Sequence, residues 1–124
     1  MKFKTDDLAA QLESRHPLLK EMAYTFERLS LGLGIDPLIT RILGKIEGDS
    51  GVHDAGRAID FRDEVDGIWT YSAAQVSLLL NSMNSLYARK DGKNTLIHHS
   101  FNGGPYHFHL QMAANLKTYK NLGK

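Results

Sequence analysis

From Tyr106 to Met112 the chain alternates without a break: Tyr106, Phe108, Leu110 and Met112 take one side of an extended strand, and His107, His109 and Gln111 take the other. A period of two fits a half-buried strand and no helix, which would scatter these side chains around its circumference. One face must therefore lie on a core while the other opens on a polar surface. The chain has to build a sheet with two chemically different faces, and imidazoles stand on the open one.

The rest of the chain supplies elements to cover the apolar face. Thr5 or Asp6 can cap a first helix running to about Ser14, and Pro17 suits the first turn of a second. Leu18, Leu19, Met22, Phe26 and Leu29 recur at helical spacing, and Gly32 and Gly34 end that helix. Ser72 and Gln75 form a capping-box pattern before a helix reaching about Arg89, with Val76, Leu79, Leu80, Met83 and Leu86 as its stripe. The dense aliphatic segment Pro37–Ile46 is ambiguous between a buried strand and a short helix; its Pro and Gly punctuation favours a strand. Arg57–Arg62 reads as a strand with Ala58, Asp60 and Arg62 on one face, and Thr95–His99 as another, turning at Asn102-Gly103-Gly104 into the alternating segment. Ala113–Lys124 reads as a short helix or a frayed tail.

These 124 residues suit one domain, 1–124, and can bury a sizeable core. A net charge of +1 offers no broad handle for nucleic acid or an anionic membrane, and no apolar run approaches a membrane span. Met1–Asp7 lacks the apolar core of a secretory signal, so the chain is expected to be made in the cytoplasm. It has no cysteine, so any metal must be held by imidazole and carboxylate.

Histidines stand at 16, 53, 98, 99, 107 and 109. One strand cannot close a metal site alone, because catalytic zinc usually takes three protein ligands. His53, between Gly51 and Gly56, and Asp60, between Ile59 and Phe61, are the best further offers. A carboxylate inside an apolar strand is costly unless a cation offsets it. The plainer alternative is an ion pair of Asp60 with Arg57, Arg62 or Arg41. His16 reads as structural, and of His98 and His99, which point to opposite faces, at most one looks into the site.

The segment Ser50-Gly51-Val52-His53-Asp54-Ala55-Gly56-Arg57-Ala58-Ile59-Asp60 resembles the S-x-H-x-x-G-x-A-x-D signature of zinc peptidases that include D-Ala-D-Ala carboxypeptidases and phage L-alanyl-D-glutamate endolysins. Ser50 stands one place further from His53 than in the common form. Tyr106-His107-Phe108-His109 is similar to the H-x-H element of the wider group, which takes in lysostaphin and the hedgehog signalling domain. The resemblance covers about residues 37–112. It implies an α+β fold, hedgehog/DD-peptidase-like: a small antiparallel sheet with helices on one face and one zinc ion on the other. The ligands would be His53, Asp60 and His109, with water in the fourth position, its pKa lowered toward about 7.

Enzymes of the carboxypeptidase and endolysin type carry a Glu or Asp three residues before the last ligand, where this chain has Tyr106. His107 is therefore the expected catalytic partner, with Glu47, Asp49 or a carboxylate from Asp63 to Asp66 as alternatives. Arg41 is the expected substrate-binding arginine. The resemblance implies a monomeric peptidase acting on the peptidoglycan stem peptide, like a phage lysis enzyme that reaches the wall after release, without nucleic acid or membrane insertion. The alternative is a non-catalytic, metal-containing binding domain on the same scaffold.

Overall fold

A computed structural model of the chain describes residues 1–44, 51–53, 55–100 and 103–122. Strand β1 (Lys2–Phe3) leads into helices α1 (Asp7–Glu13) and α2 (Pro17–Gly32). Strands β2 (Leu38–Arg41) and β3 (Ala58–Arg62) follow, then a small hairpin of β4 (Glu64–Val65) and β5 (Ile68–Trp69). Helix α3 (Ala73–Leu86), strands β6 (Leu96–Ser100) and β7 (Tyr106–Gln111), and a 3-10 turn at Leu116–Thr118 complete the order.

Local chemistry sets these boundaries. Pro17 opens α2, and His16 caps it by accepting the Leu18 N–H on Nδ1 at 3.0 Å, which gives that histidine a structural task. Both bonds of the Ser72–Gln75 capping box form at the head of α3. That helix stops at Leu86, short of Arg89, and Leu86 stands exposed at its end rather than in the core. The tail forms the 3-10 turn, which leaves Tyr119 buried with its hydroxyl accepting from the Ala113 N–H.

The main sheet has the order β1-β2-β3-β7-β6. It is mixed, which corrects the expectation of an antiparallel sheet: β1 runs parallel to β2. A parallel pair needs a long crossover, and α1 with α2 provides it. A two-residue strand leaves no periodicity to read. All other neighbours pair antiparallel.

One face of the sheet is apolar. Ile39, Ile59, Phe61, Phe108, Leu110 and Leu96 join Leu8, Leu12, Leu19, Met22, Phe26, Leu79 and Met83 from the helices in one core. Phe26 sits at its centre, fully buried, stacked on Phe61 at 4.2 Å and tilted against Phe108 at 5.2 Å between centroids. Among the described residues no helix is long and apolar enough to cross a membrane.

Phe26 thus clamps the two central strands from the helix side. Phe26→Ala is expected to lower the unfolding free energy by about 3–5 kcal/mol. Urea denaturation of the metal-free protein measures this, and a loss under about 1 kcal/mol would show that the ring does not fill the gap between helix and sheet.

Candidate metal centre

The register of β3 on β7 places Asp60 directly opposite His109 and Arg62 opposite His107. Next door, β6 sets His99 opposite His107 and Ile97 opposite His109. All of these side chains share the face away from the helices and line one cavity of about 690 Å³. A bulge completes the row. Ile39 pairs with Phe61 but Arg41 pairs with Asp60, so Thr40 is the extra residue. Without it, Arg41 would fall on the core side by parity; with it, Arg41 enters the cavity.

His53 arrives from the turn before β3. Gly56 N–H donates to the His53 carbonyl at 2.9 Å and Arg57 N–H to the Val52 carbonyl at 3.0 Å. Gly56 holds φ +73°, the left-handed conformation that favours glycine; a Cβ there would also have to displace the end of the Arg15 side chain, 2.5 Å away. The turn leaves the His53 side chain buried beside Asp60.

Three ligand atoms, from His53, Asp60 and His109, lie within 4.8 Å of one another, and all three residues are buried. Asp60 Oδ1 is 3.1 Å from His53 Nε2 and 2.9 Å from His109 Nδ1. Ligand atoms around a tetrahedral imidazole–carboxylate zinc ion sit about 3.3 Å apart, given bonds of about 2.0–2.2 Å. The spacing therefore fits a small divalent ion.

The outer contacts decide how these atoms are protonated. His53 Nδ1 lies 2.8 Å from the Ile42 carbonyl, which can only accept, so Nδ1 carries the proton. Its Nε2 is then a lone pair, and it is a buried atom without hydrogen-bond geometry to any partner among the described residues. Gln111 gives its amide N–H to the Asn94 carbonyl at 2.9 Å, which turns its Oε1 toward His109 Nε2 at 3.2 Å. His109 accordingly donates from Nε2, and Nδ1 faces Asp60 Oδ1, where the neutral form of this tautomer offers a lone pair. When both rings are neutral, two imidazole lone pairs and a carboxylate come together here, within 4.8 Å of one another. Such a set calls for a cation, and second partners of this kind commonly orient metal-bound histidines.

Burial would raise the Asp60 carboxyl, but hydrogen bonds donated by His109 and His53, and the positive charge of the His53 and His107 rings when protonated, outweigh it and hold the group well below the usual carboxylate range; protons on these rings thus do for Asp60 what a bound cation would. Its short contacts are with imidazoles, since Arg41 Nη1 stands 4.0 Å from Oδ2 and Arg57 is turned to the Met112 carbonyl. The ion-pair alternative is therefore at most peripheral. His107 Nε2 is 3.8 Å from Asp60 Oδ2, beside the ligand set.

Among the other expected groups, Asp63 is withdrawn from the site. It is fully buried, accepts from the Thr70 and Tyr71 N–H groups, and pairs with His98 at 2.6 Å on the core side. Glu64 lines the cavity, whereas Glu47 and Asp49 lie outside the described residues. His99 is the member of its pair that looks inward, 4.7 Å from the His107 ring centroid. Burial, then the neighbouring His107 and His109, lower its pKa. Strand parity alone left the choice between His98 and His99 open; the pairing of β6 with β7 makes it. Comparisons of the chain with family models, curated proteins and solved structures found no match.

If Gln111 fixes the His109 tautomer, Gln111→Leu should weaken zinc binding about 10–100-fold. Gln111→Glu, which keeps an acceptor at that place, should bind within a few-fold of the parent. Competition with a chelating dye measures both, and equal affinities for parent and Leu variant would contradict the assignment.

Proposed function

We propose that this chain is a zinc peptidase that hydrolyses a bond in the stem peptide of bacterial peptidoglycan, in the manner of a phage lysis enzyme. The observation that carries the proposal is the convergence of His53, Asp60 and His109, buried ligand atoms within 4.8 Å of one another, in the lining of an open cavity. The resemblance of Ser50–Asp60 and of His107–His109 to zinc peptidase motifs supplies the reaction class. Bound zinc would polarise the scissile carbonyl and make water acidic enough to attack near neutral pH.

The chain's own groups fit the remaining tasks. His107 Nδ1 faces the Pro105 carbonyl at 3.3 Å, which can only accept, so the tautomer with its proton on Nδ1 turns the Nε2 lone pair toward the cavity. A base at that atom takes a proton from the attacking water and returns it to the departing amine. Arg41 reaches the cavity with one nitrogen donating to the Gly44 carbonyl at 2.7 Å, and is placed to meet a substrate carbonyl or carboxylate. Tyr106 occupies the position where the resembling enzymes carry a carboxylate. Its backbone N–H, however, donates to Glu64 Oε1 at 3.3 Å, so a carboxylate stands at that end of the cavity by another route.

The Tyr106 position also favours a second reading, a binding domain that holds metal and peptide without turnover. Incubation of the zinc-, cobalt- or manganese-loaded protein with muropeptides, read by mass spectrometry, separates the two. Cleavage is expected, and His107→Ala should reduce it by about 10²–10⁴-fold with metal content unchanged. Peptide binding without cleavage under all three metals would replace the peptidase reading with the second.

A further inference from the structure

The hairpin of β4 and β5 turns at Asp66-Gly67, with φ of 52° and 79°, the two-residue turn that matches the twist of paired strands. It is pinned at both ends. Asp63 Oδ1 accepts the Thr70 and Tyr71 N–H groups, and Glu64 accepts from Gly67 through Oε2 and from Tyr106 through Oε1. On this fixed support Ile68 is 76% exposed and Trp69 51%. A rigid hairpin that presents a half-exposed indole is a surface waiting for a partner.

Glu64 and Trp69 pair across the hairpin and so share a face, with Val65 and Ile68 on the other. The Trp69 ring lies 5.4 Å from Tyr106 between centroids, and Tyr106 in turn stacks on His98 at 5.3 Å. Tyr106 and Glu64 also line the cavity of the metal centre. Tyr106 borders the cavity at the start of β7 but turns its ring to the His98 side of the sheet, so the aromatic ledge lies around the strand edge from the cavity, with the Glu64 carboxylate between the two.

We propose that this ledge binds a sugar ring of the glycan strand, an N-acetylhexosamine, next to the peptide held at the metal centre. The proposal rests on the peptidoglycan reading above, in which the stem peptide hangs from such a ring. The polarised C–H bonds on one pyranose face pack on the negative face of an aromatic ring. Each Glu64 oxygen accepts one N–H, and a carboxylate has about four acceptor positions, which leaves room for hydroxyl or amide donors. An aliphatic peptide side chain would want a groove, and this surface is a ledge. An anionic bilayer is disfavoured because Glu64 and Asp66 flank the hairpin turn.

Trp69 is the sole tryptophan of the chain, so its emission reports on the ledge directly. Titration of the full chain with a β-1,4-linked N-acetylglucosamine tetramer should change that emission saturably, with or without zinc. Calorimetry should show binding of the tetramer weakened at least about 10-fold in Trp69→Ala and largely kept in Trp69→Phe, with thermal unfolding unchanged. With catalysis intact, Trp69→Ala should spare hydrolysis of a free stem peptide and slow that of the glycan-linked peptide. No response to millimolar tetramer would overturn the proposal, as would equal affinity in Trp69→Ala. An emission change caused only by anionic vesicles, or only by self-association, would overturn it in favour of those partners. Sugar binding does not depend on turnover, so an inactive protein that binds the tetramer would sink the peptidase reading and leave the ledge standing.

Discussion

Asp60 is a carboxylate set in β3, the middle strand of the sheet, buried, between Ile59 and Phe61 that anchor the core. Stripping water from such a group costs several kcal/mol unless charge or hydrogen bonds replace it. The surroundings of Asp60 follow from that cost. His109 is placed by register, His53 by a glycine turn, and His107 two pairs further along the same strands. Each imidazole is then turned by an acceptor outside the centre: Ile42 for His53, Gln111 for His109 and Pro105 for His107. A protein that needed only to neutralise Asp60 could use Arg41, which stands 4.0 Å away. Three imidazoles gathered on one buried carboxylate can balance its charge by taking up protons, and two of them, His53 and His109, can exchange those protons for a shared cation.

The same strands that hold these ligands hold the core. Ile59 and Phe61 alternate with Asp60, and Phe108 and Leu110 with His109, so a shift of one residue in the β3–β7 pairing would bury imidazoles under Phe26 and expose phenyl rings to water. Hydrophobic packing on the helix side thus fixes the register of the polar side. The bulge at Thr40 is the one local exception to alternation on β2, and its effect is to bring a guanidinium to the site rather than into the core.

Much of this was legible in the residues because it is carried by period. The alternation of Tyr106–Met112, the stripe of α2 and the capping box of α3 each encode one face of one element, and the structure forms all three. His53, Asp60 and His109 were legible as a group through spacing and resemblance, and the fold brings them together. What was not legible depends on features without a period. Strand β1 has two residues, the Thr40 bulge breaks parity, and the partition of His98 from His99 needs the partner strand. The hairpin had a signal that went unread: Asp66-Gly67 between Val65 and Ile68-Trp69 is a strong two-residue turn pattern.

Glu64 links the hairpin to the cavity of the candidate metal centre. It sits at the hairpin's base opposite Trp69, holds the Gly67 and Tyr106 N–H groups, and borders the cavity that contains His107. Its partner in sequence, Asp63, faces the other way and ties the hairpin to Tyr71 and His98 beneath the sheet. Two adjacent carboxylates on opposite faces of one strand extension therefore do opposite jobs. One is sealed in the core and sets the hairpin's position; the other stays at the cavity rim, where an acceptor can still meet a ligand. The aromatic ledge is consequently as fixed relative to His107 as the strands themselves. That rigidity would let a substrate bridging the two be read at both ends without a loop having to close.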